Sequence, residues 1–108
     1  MSDTIARVRL LVGLGEVRIS AHGYDELADD DILATEVLAG VDDAILVEDY
    51  PTASRGPSVL VRQEDSKGRP LHVVWGIPAG RHGPAVLVTA YRPDATLWTD
   101  DFLHRKKT

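Results

Sequence analysis

The hydrophobic pattern changes period near Gly40. Before that point, apolar residues recur at the three-to-four spacing of a helix face. Residues 4–14 (TIARVRLLVGL) put Ile5, Val8, Leu11 and Val12 on one side and leave Arg7 and Arg9 off it. Asp3 or Thr4 stands where an N-cap belongs, and Gly13 and Gly15 end the run. Residues 16–20 (EVRIS) alternate, which predicts a short first strand with Val17 and Ile19 on the same side. Residues 22–28 (HGYDELA) predict a second helix, and residues 32–39 (ILATEVLA) a third. The cluster Asp29-Asp30-Asp31 precedes that third helix, where carboxylates accept orphan backbone N–H bonds and complement the dipole. Gly40 occupies the stop position.

After Gly40 the apolar residues gather into four strand-like runs, 44–49 (AILVED), 58–63 (SVLVRQ), 71–77 (LHVVWGI) and 85–91 (AVLVTAY). Pro51 and Arg55-Gly56-Pro57 separate the first two, and Asp65-Ser66-Lys67-Gly68 forms a tight turn with Gly where positive φ is needed. Residues 80–84 close the third link. Connections this short imply antiparallel neighbours. Several runs are nearly continuously apolar, as in a sheet covered on much of both faces. The expected class is α+β: N-terminal helices packed on a twisted antiparallel β-meander of about four strands, plus the short first strand.

A chain of 108 residues makes one domain. Its expected parts are an N-terminal helix over 1–15, a core over 16–98 and a basic tail over 99–108. With no cysteine, disulfides and Cys-ligated zinc are excluded. Charges at Asp3, Arg7 and Arg9 interrupt every apolar run near the start, and no stretch reaches the ~18 apolar residues of a membrane span. The expectation is a cytoplasmic protein without a membrane partner. The net charge of −5 is unevenly spread. Residues 20–50 carry ten acids and no Lys or Arg, whereas residues 51–108 carry nine basic residues against five acids. An acidic helical part therefore faces a basic sheet part, which bears on partners rather than on fold.

The segment from Ile19-Ser20-Ala21-His22 to Arg105-Lys106-Lys107 resembles the bacterial family catalogued as domain of unknown function 4258. The resemblance rests on Ile-Ser-x-His, Glu48-Asp49-Tyr50-Pro51, residues 56–61 (GPSVLV), residues 68–74 (GRPLHVV), residues 88–94 (VTAYRPD), and a tail with Trp98 and Asp101-Phe102. It implies a fold similar to RelE- and BrnT-like toxins, and a component of a toxin–antitoxin pair that acts on RNA beside a small antitoxin-like protein. The sequence departs from the family at Glu26 and Asp30, where relatives carry basic residues.

Metal-free RNA cleavage needs a base for the 2′-OH, an acid for the leaving oxygen and cations for the charged transition state. In the basic half, His72 is the candidate acid or base, because it titrates near neutral pH. Period 2 turns it away from Leu71, Val73 and Trp75. Tyr91 and Arg92 complete the candidate catalytic set, although neighbours on a regular strand point to opposite faces. Arg62 and Arg69, flanking the 65–68 turn, and His22, opening the second helix, are candidate phosphate contacts. Structural roles are open as well: His72 bonded to a helix or a neighbouring strand, Tyr91 at the core edge, Arg62 and Arg69 ion-paired to Glu64 and Asp65, and His22 capping its helix through a backbone contact. His82 and His104 are scattered, and no metal-ligand spacing or phosphate loop occurs, so neither metal nor cofactor is expected. Two functional readings stay open. One is a toxin-like protein that binds or cleaves RNA, as a metal-independent endoribonuclease in the second case. The other is a non-catalytic RNA- or protein-binding module, with a homodimer formed through its unlike charges as one of its forms.

Overall fold

The computed structural model describes residues 2–107; Met1 and Thr108, the ends of the expected domain, lie outside the described residues. Helix α1 (Asp3–Gly13) leads into strand β1 (Val17–Ile19), followed by α2 (Ala21–Asp29), α3 (Ala34–Ala39) and a 3₁₀ turn (Val41–Asp43). Strands β2 (Ile45–Tyr50), β3 (Ser58–Glu64), β4 (Pro70–Gly76) and β5 (Ala85–Tyr91) follow. The protein is α+β, and its five strands form one open sheet in the order β1-β5-β4-β3-β2. The last four strands pair antiparallel in sequence order, while β1 runs parallel to β5, so the sheet is mixed. Bulges interrupt β2 between Leu46 and Glu48 and the β4–β5 pair between Val74 and Trp75.

The helix ends differ in detail from expectation. Ser2, rather than Asp3 or Thr4, caps α1, its hydroxyl accepting from the Ile5 amide at 3.3 Å. Leu14 is the C-cap, and Gly15 follows with a left-handed φ of 76°. Ser20 caps α2 by accepting from the Gly23 amide at 2.9 Å, and it donates to the Val88 carbonyl at 2.8 Å, which ties this helix to β5. The third helix begins at Ala34, two residues later than its apolar pattern suggests, with Leu33 as a cap that offers no side-chain bond. The acidic cluster does not cap it. Ile32 is drawn into the core with its amide on the Leu27 carbonyl, Asp31 takes a left-handed φ of 55°, and Asp30 accepts from the Arg92 amide at 2.8 Å. Burial of Ile32 thus outweighs helix propensity at that junction.

All three helices pack on one face of the sheet. Ile5, Val8 and Leu11 of α1 join Leu27, Ile32 and Val37 against Val59, Val61, Leu71, Val73, Trp75 and Leu87. Gln63, buried among these side chains, is held from two directions: it donates to the Val37 carbonyl at 2.8 Å and accepts from the Trp75 indole at 3.0 Å. Close approach fixes α2 on β5, because a Cβ built on Gly23 would lie 2.8 Å from the Leu87 carbonyl. Among the described residues no helix is long and apolar enough to cross a membrane.

At the end of the β3–β4 hairpin, the side chain of Asp65 is almost fully buried and organises the turn. It accepts from the amides of Lys67 and Arg69 and from the guanidiniums of Arg69 and Arg92, all at 2.9–3.2 Å. Burial pushes its carboxyl up, but these donors outweigh burial and hold it at about 2, below the ordinary 3.8. A carboxylate depressed in the folded state stabilises above its unfolded pKa and loses that contribution as pH falls towards the folded one. Asp65→Asn is therefore expected to lower the melting temperature at pH 7. The gap to the unaltered protein should close as melts are run from pH 4 down to pH 2. Parallel melting curves across that window would contradict this role.

Candidate functional site

The helices leave the opposite face of the sheet to other partners. Alternation along β4 presents His72, Val74 and Gly76 to that outer face. The ladder sets Arg62 of β3 and Tyr91 of β5 directly beside His72, so these three residues form one cross-strand row. Glu48 and Tyr50 of β2 lie on the same face. The row is covered. After β5 the chain turns at Pro93 and folds a loop over it, with Trp98 and Arg105 joined by a backbone bridge.

His72 is completely buried beneath this loop. Its Nε2 lies 2.8 Å from the Phe102 carbonyl, which only accepts, so Nε2 carries the proton. In the neutral ring Nδ1 then accepts from the Tyr91 hydroxyl at 3.2 Å. Tyr91 and Trp98 both meet the ring edge to face, with centroids 5.4 and 4.4 Å away. Burial pushes the His72 pKa below its usual value. The Phe102 carbonyl opposes this, and the guanidiniums of Arg105 and Arg62 reinforce it. Burial likewise pushes the Tyr91 phenol up. Both nitrogens of the imidazole are therefore engaged, and neither is free to move a substrate proton while the loop is in place.

Beyond the row, the outer face opens into a cleft of about 470 Å³. Val74, Val86, Val88 and Pro78 make it apolar, Ser54 and Ser58 add hydroxyls, and Arg18 and Arg55 stand at its border. Both arginines are exposed, and neither forms an ion pair with a described residue. Gly56 shapes the wall. Its φ is 124°, and a Cβ there would stand 1.9 Å from the Ile77 carbonyl, so no other residue fits. Gly76 is different, since a Cβ would meet only ordinary contacts at 3.6–3.8 Å. Its missing side chain leaves room rather than relieving strain.

Of the residues singled out from sequence, the fold brings together His72, Tyr91 and Arg62. Arg92 turns to the other side, as alternation requires, and pairs with Asp65 at 3.2 Å. Arg69 pairs with the same carboxylate at 2.9 Å. Both stand away from His72. Arg62 lies 3.6 Å from Glu64, and its buried Nε has no hydrogen-bond partner. His22 is exposed on α2 beside Glu26, at 3.5 Å, and does not join the row. Sequence reasoning did not single out Arg18, Arg55, Trp98 and Arg105 as site residues. The signal for Arg18 was its place between Val17 and Ile19, which sends it to the face opposite the core. No cluster of His, Cys, Asp and Glu fit for a metal occurs among the described residues.

Against known families, residues 19–92 match a family model described only as a domain of unknown function (DUF4258). The loop carrying Trp98, Phe102 and Arg105 lies beyond the matched residues. No curated protein and no solved structure matches the chain.

The ring environment makes a direct prediction. Nitrogen-detected NMR of the histidines is expected to show His72 as the Nε2–H tautomer with a pKa below 6.5. Because the folded state resists protonation, stability is expected to fall as pH drops below about 6.5, where the unfolded chain takes up that proton. An Nδ1–H tautomer with an ordinary pKa would contradict the assignment.

Proposed function

The chain belongs to the DUF4258 family, and from that premise we propose that it is a toxin-like module of RelE type that binds single-stranded RNA on the outer face of its sheet without cutting it. One pairing of features carries this reading. The same face holds an open cleft bordered by two unpaired arginines and a histidine whose two nitrogens are both engaged. Guanidiniums without an ion-pair partner are suited to backbone phosphates. An aliphatic floor takes the flat face of an unstacked base without reading its edges, which favours sequence-tolerant binding. A base still paired in a duplex is held in its stack and cannot lie on that floor. The basic half of the sequence supplies β3, β4 and β5 of this face, and the acidic segment 20–50 supplies α2 and α3 on the opposite side together with the edge strand β2. In this reading the acidic surface suits a basic, antitoxin-like protein.

Cleavage is the second reading. It is favoured by the row itself, in which an imidazole lies between a phenol and a guanidinium. It requires an imidazole nitrogen that the loop now occupies.

Fluorescence anisotropy with a short unstructured RNA tests the proposal. Two phosphate contacts are expected to give a slope of about −1.4 in log K against log salt, since single strands lose about 0.7 per contact. Arg18→Ala or Arg55→Ala should each lower the slope to about −0.7. Gly76→Ala should weaken binding by partly filling the cleft, with no loss of thermal stability, because its methyl meets only ordinary contacts. Intact RNA after long incubation is the expected companion result. Absence of binding at low salt would reject RNA as the ligand, and metal-independent cleavage by the unaltered protein would install the second reading.

A further inference from the structure

The loop over residues 94–107 is built as a unit that braces itself more than it is anchored to the sheet. Thr99 and His104 are joined by a backbone bond at 2.8 Å, and Lys106 and Leu97 by one at 2.9 Å. Asp94 closes its start by accepting from the amide and hydroxyl of Thr96, and Asp101 accepts from Thr99 and Leu103. Its links to the sheet are few and side-chain-sized. Trp98, only 4% exposed, rests on His72, the Phe102 carbonyl accepts from His72, and Arg105 bonds Glu48 at 3.0 Å. Arg105 also lies 4.7 Å over the Trp98 ring, so a single exposed arginine clamps the only fully buried side chain of the loop. Phe102 presents its carbonyl from a left-handed φ of 59°, a conformation that a bulky residue holds only under constraint.

What lies beneath the loop is a continuation of the cleft. His72, Val74 and Gly76 are successive outer-face positions of β4, and the cleft floor includes the latter two and stops short of the first. Beneath the loop lies the His72 ring, with the Tyr91 ring on one side of it in the ladder and on the other Arg62, which lies 3.6 Å from Glu64 and whose Nε is buried without a partner among the described residues.

We infer that residues 94–107 form a removable cover over the second half of one RNA-binding groove, which runs along β4 from Gly76 to His72. This rests on the RNA reading above and adds its regulation. With the cover closed, RNA reaches only the cleft bordered by Arg18 and Arg55. With it open, the strand extends past Val74 to the guanidinium of Arg62 and stacks on the His72 and Tyr91 rings. Glu48 opposes RNA on the uncovered face, because it loses its Arg105 partner at the same moment. With no ligand bound, the Glu48–Arg105 pair favours the closed state.

Chemical modification of histidine by diethyl pyrocarbonate, read by mass spectrometry on the full chain, follows the cover directly. His22, His82 and His104 are exposed and serve as internal standards. In the unaltered protein His72 is expected to stay unmodified while these three react. In Trp98→Ala it should react several-fold faster, with the far-UV spectrum retained. Arg105→Ala alters only an exposed side chain, removes both clamps and should shift His72 in the same direction to a smaller extent. RNA affinity of both variants should rise, with a steeper salt dependence from the added Arg62 contact. Continued protection of His72 in both variants would overturn the cover, as would unfolding of the whole domain by Trp98→Ala, which would make the loop part of the core. An exposed His72 with unchanged RNA affinity would overturn the groove. If none of the proteins bound RNA, the RNA reading itself would fall, and the labelling would still decide whether the loop opens.

Discussion

Strand β4 lies third of five in the sheet, with a hydrogen-bonded neighbour on each side. Its register is pinned from both flanks, and side chains along it must alternate between two faces. Leu71, Val73 and Trp75 go to the helices, where they are completely buried. His72, Val74 and Gly76 go to the other face. A slip of one residue would drive His72 into the apolar core and expose Trp75, so the core's demand for Trp75 also fixes the outer surface. Gln63 tightens this constraint. It holds the Trp75 indole and the Val37 carbonyl at once, linking the strand register to the end of α3.

From this one alternation the outer face divides in two. At the Gly76 end, small residues and the Gly56 turn leave a cleft whose border carries free guanidiniums. At the His72 end, the polar row is too hydrogen-bond-hungry to be left under an apolar cover, and the loop meets it with a carbonyl, an indole and a guanidinium. Asp65 settles the remaining charges at the hairpin end. By pairing with both Arg69 and Arg92, it leaves Arg62 as the basic residue of the β3–β4 hairpin that borders His72.

Much of this was legible in the sequence. The change of period at Gly40, the turn residues 65–68 and the punctuation at 51–57 and 80–84 place the three α-helices and the five strands within about two residues of their observed spans, while the 3₁₀ turn at Val41–Asp43 was not foreseen. What the sequence concealed has physical causes. The Asp29–Asp31 cluster looks like a helix cap, but Ile32 is worth more buried than helical, and Asp30 serves the Arg92 amide instead. The parallel pairing of β1 with β5 is a long-range choice that no local signal announces. Arg92 and Arg69 have the composition of phosphate ligands, and only the fold reveals that one carboxylate holds both. The loop over His72 has no periodicity at all, since its order comes from Asp-centred turns and one buried tryptophan. Tyr91 and His72 were legible as neighbours in kind; the ladder alone made them neighbours in space.

In the proposed function, the outer face of the sheet is the face that meets RNA. Amide chemical-shift mapping of the full chain, titrated with a short unstructured RNA at low salt, addresses this residue by residue. Shifts are expected at Arg18, Ser58, Val74, Gly76 and Val86, with Val8, Leu27 and Val37 on the helical side unmoved. Shifts confined to the helices, or none at saturating RNA, would contradict it.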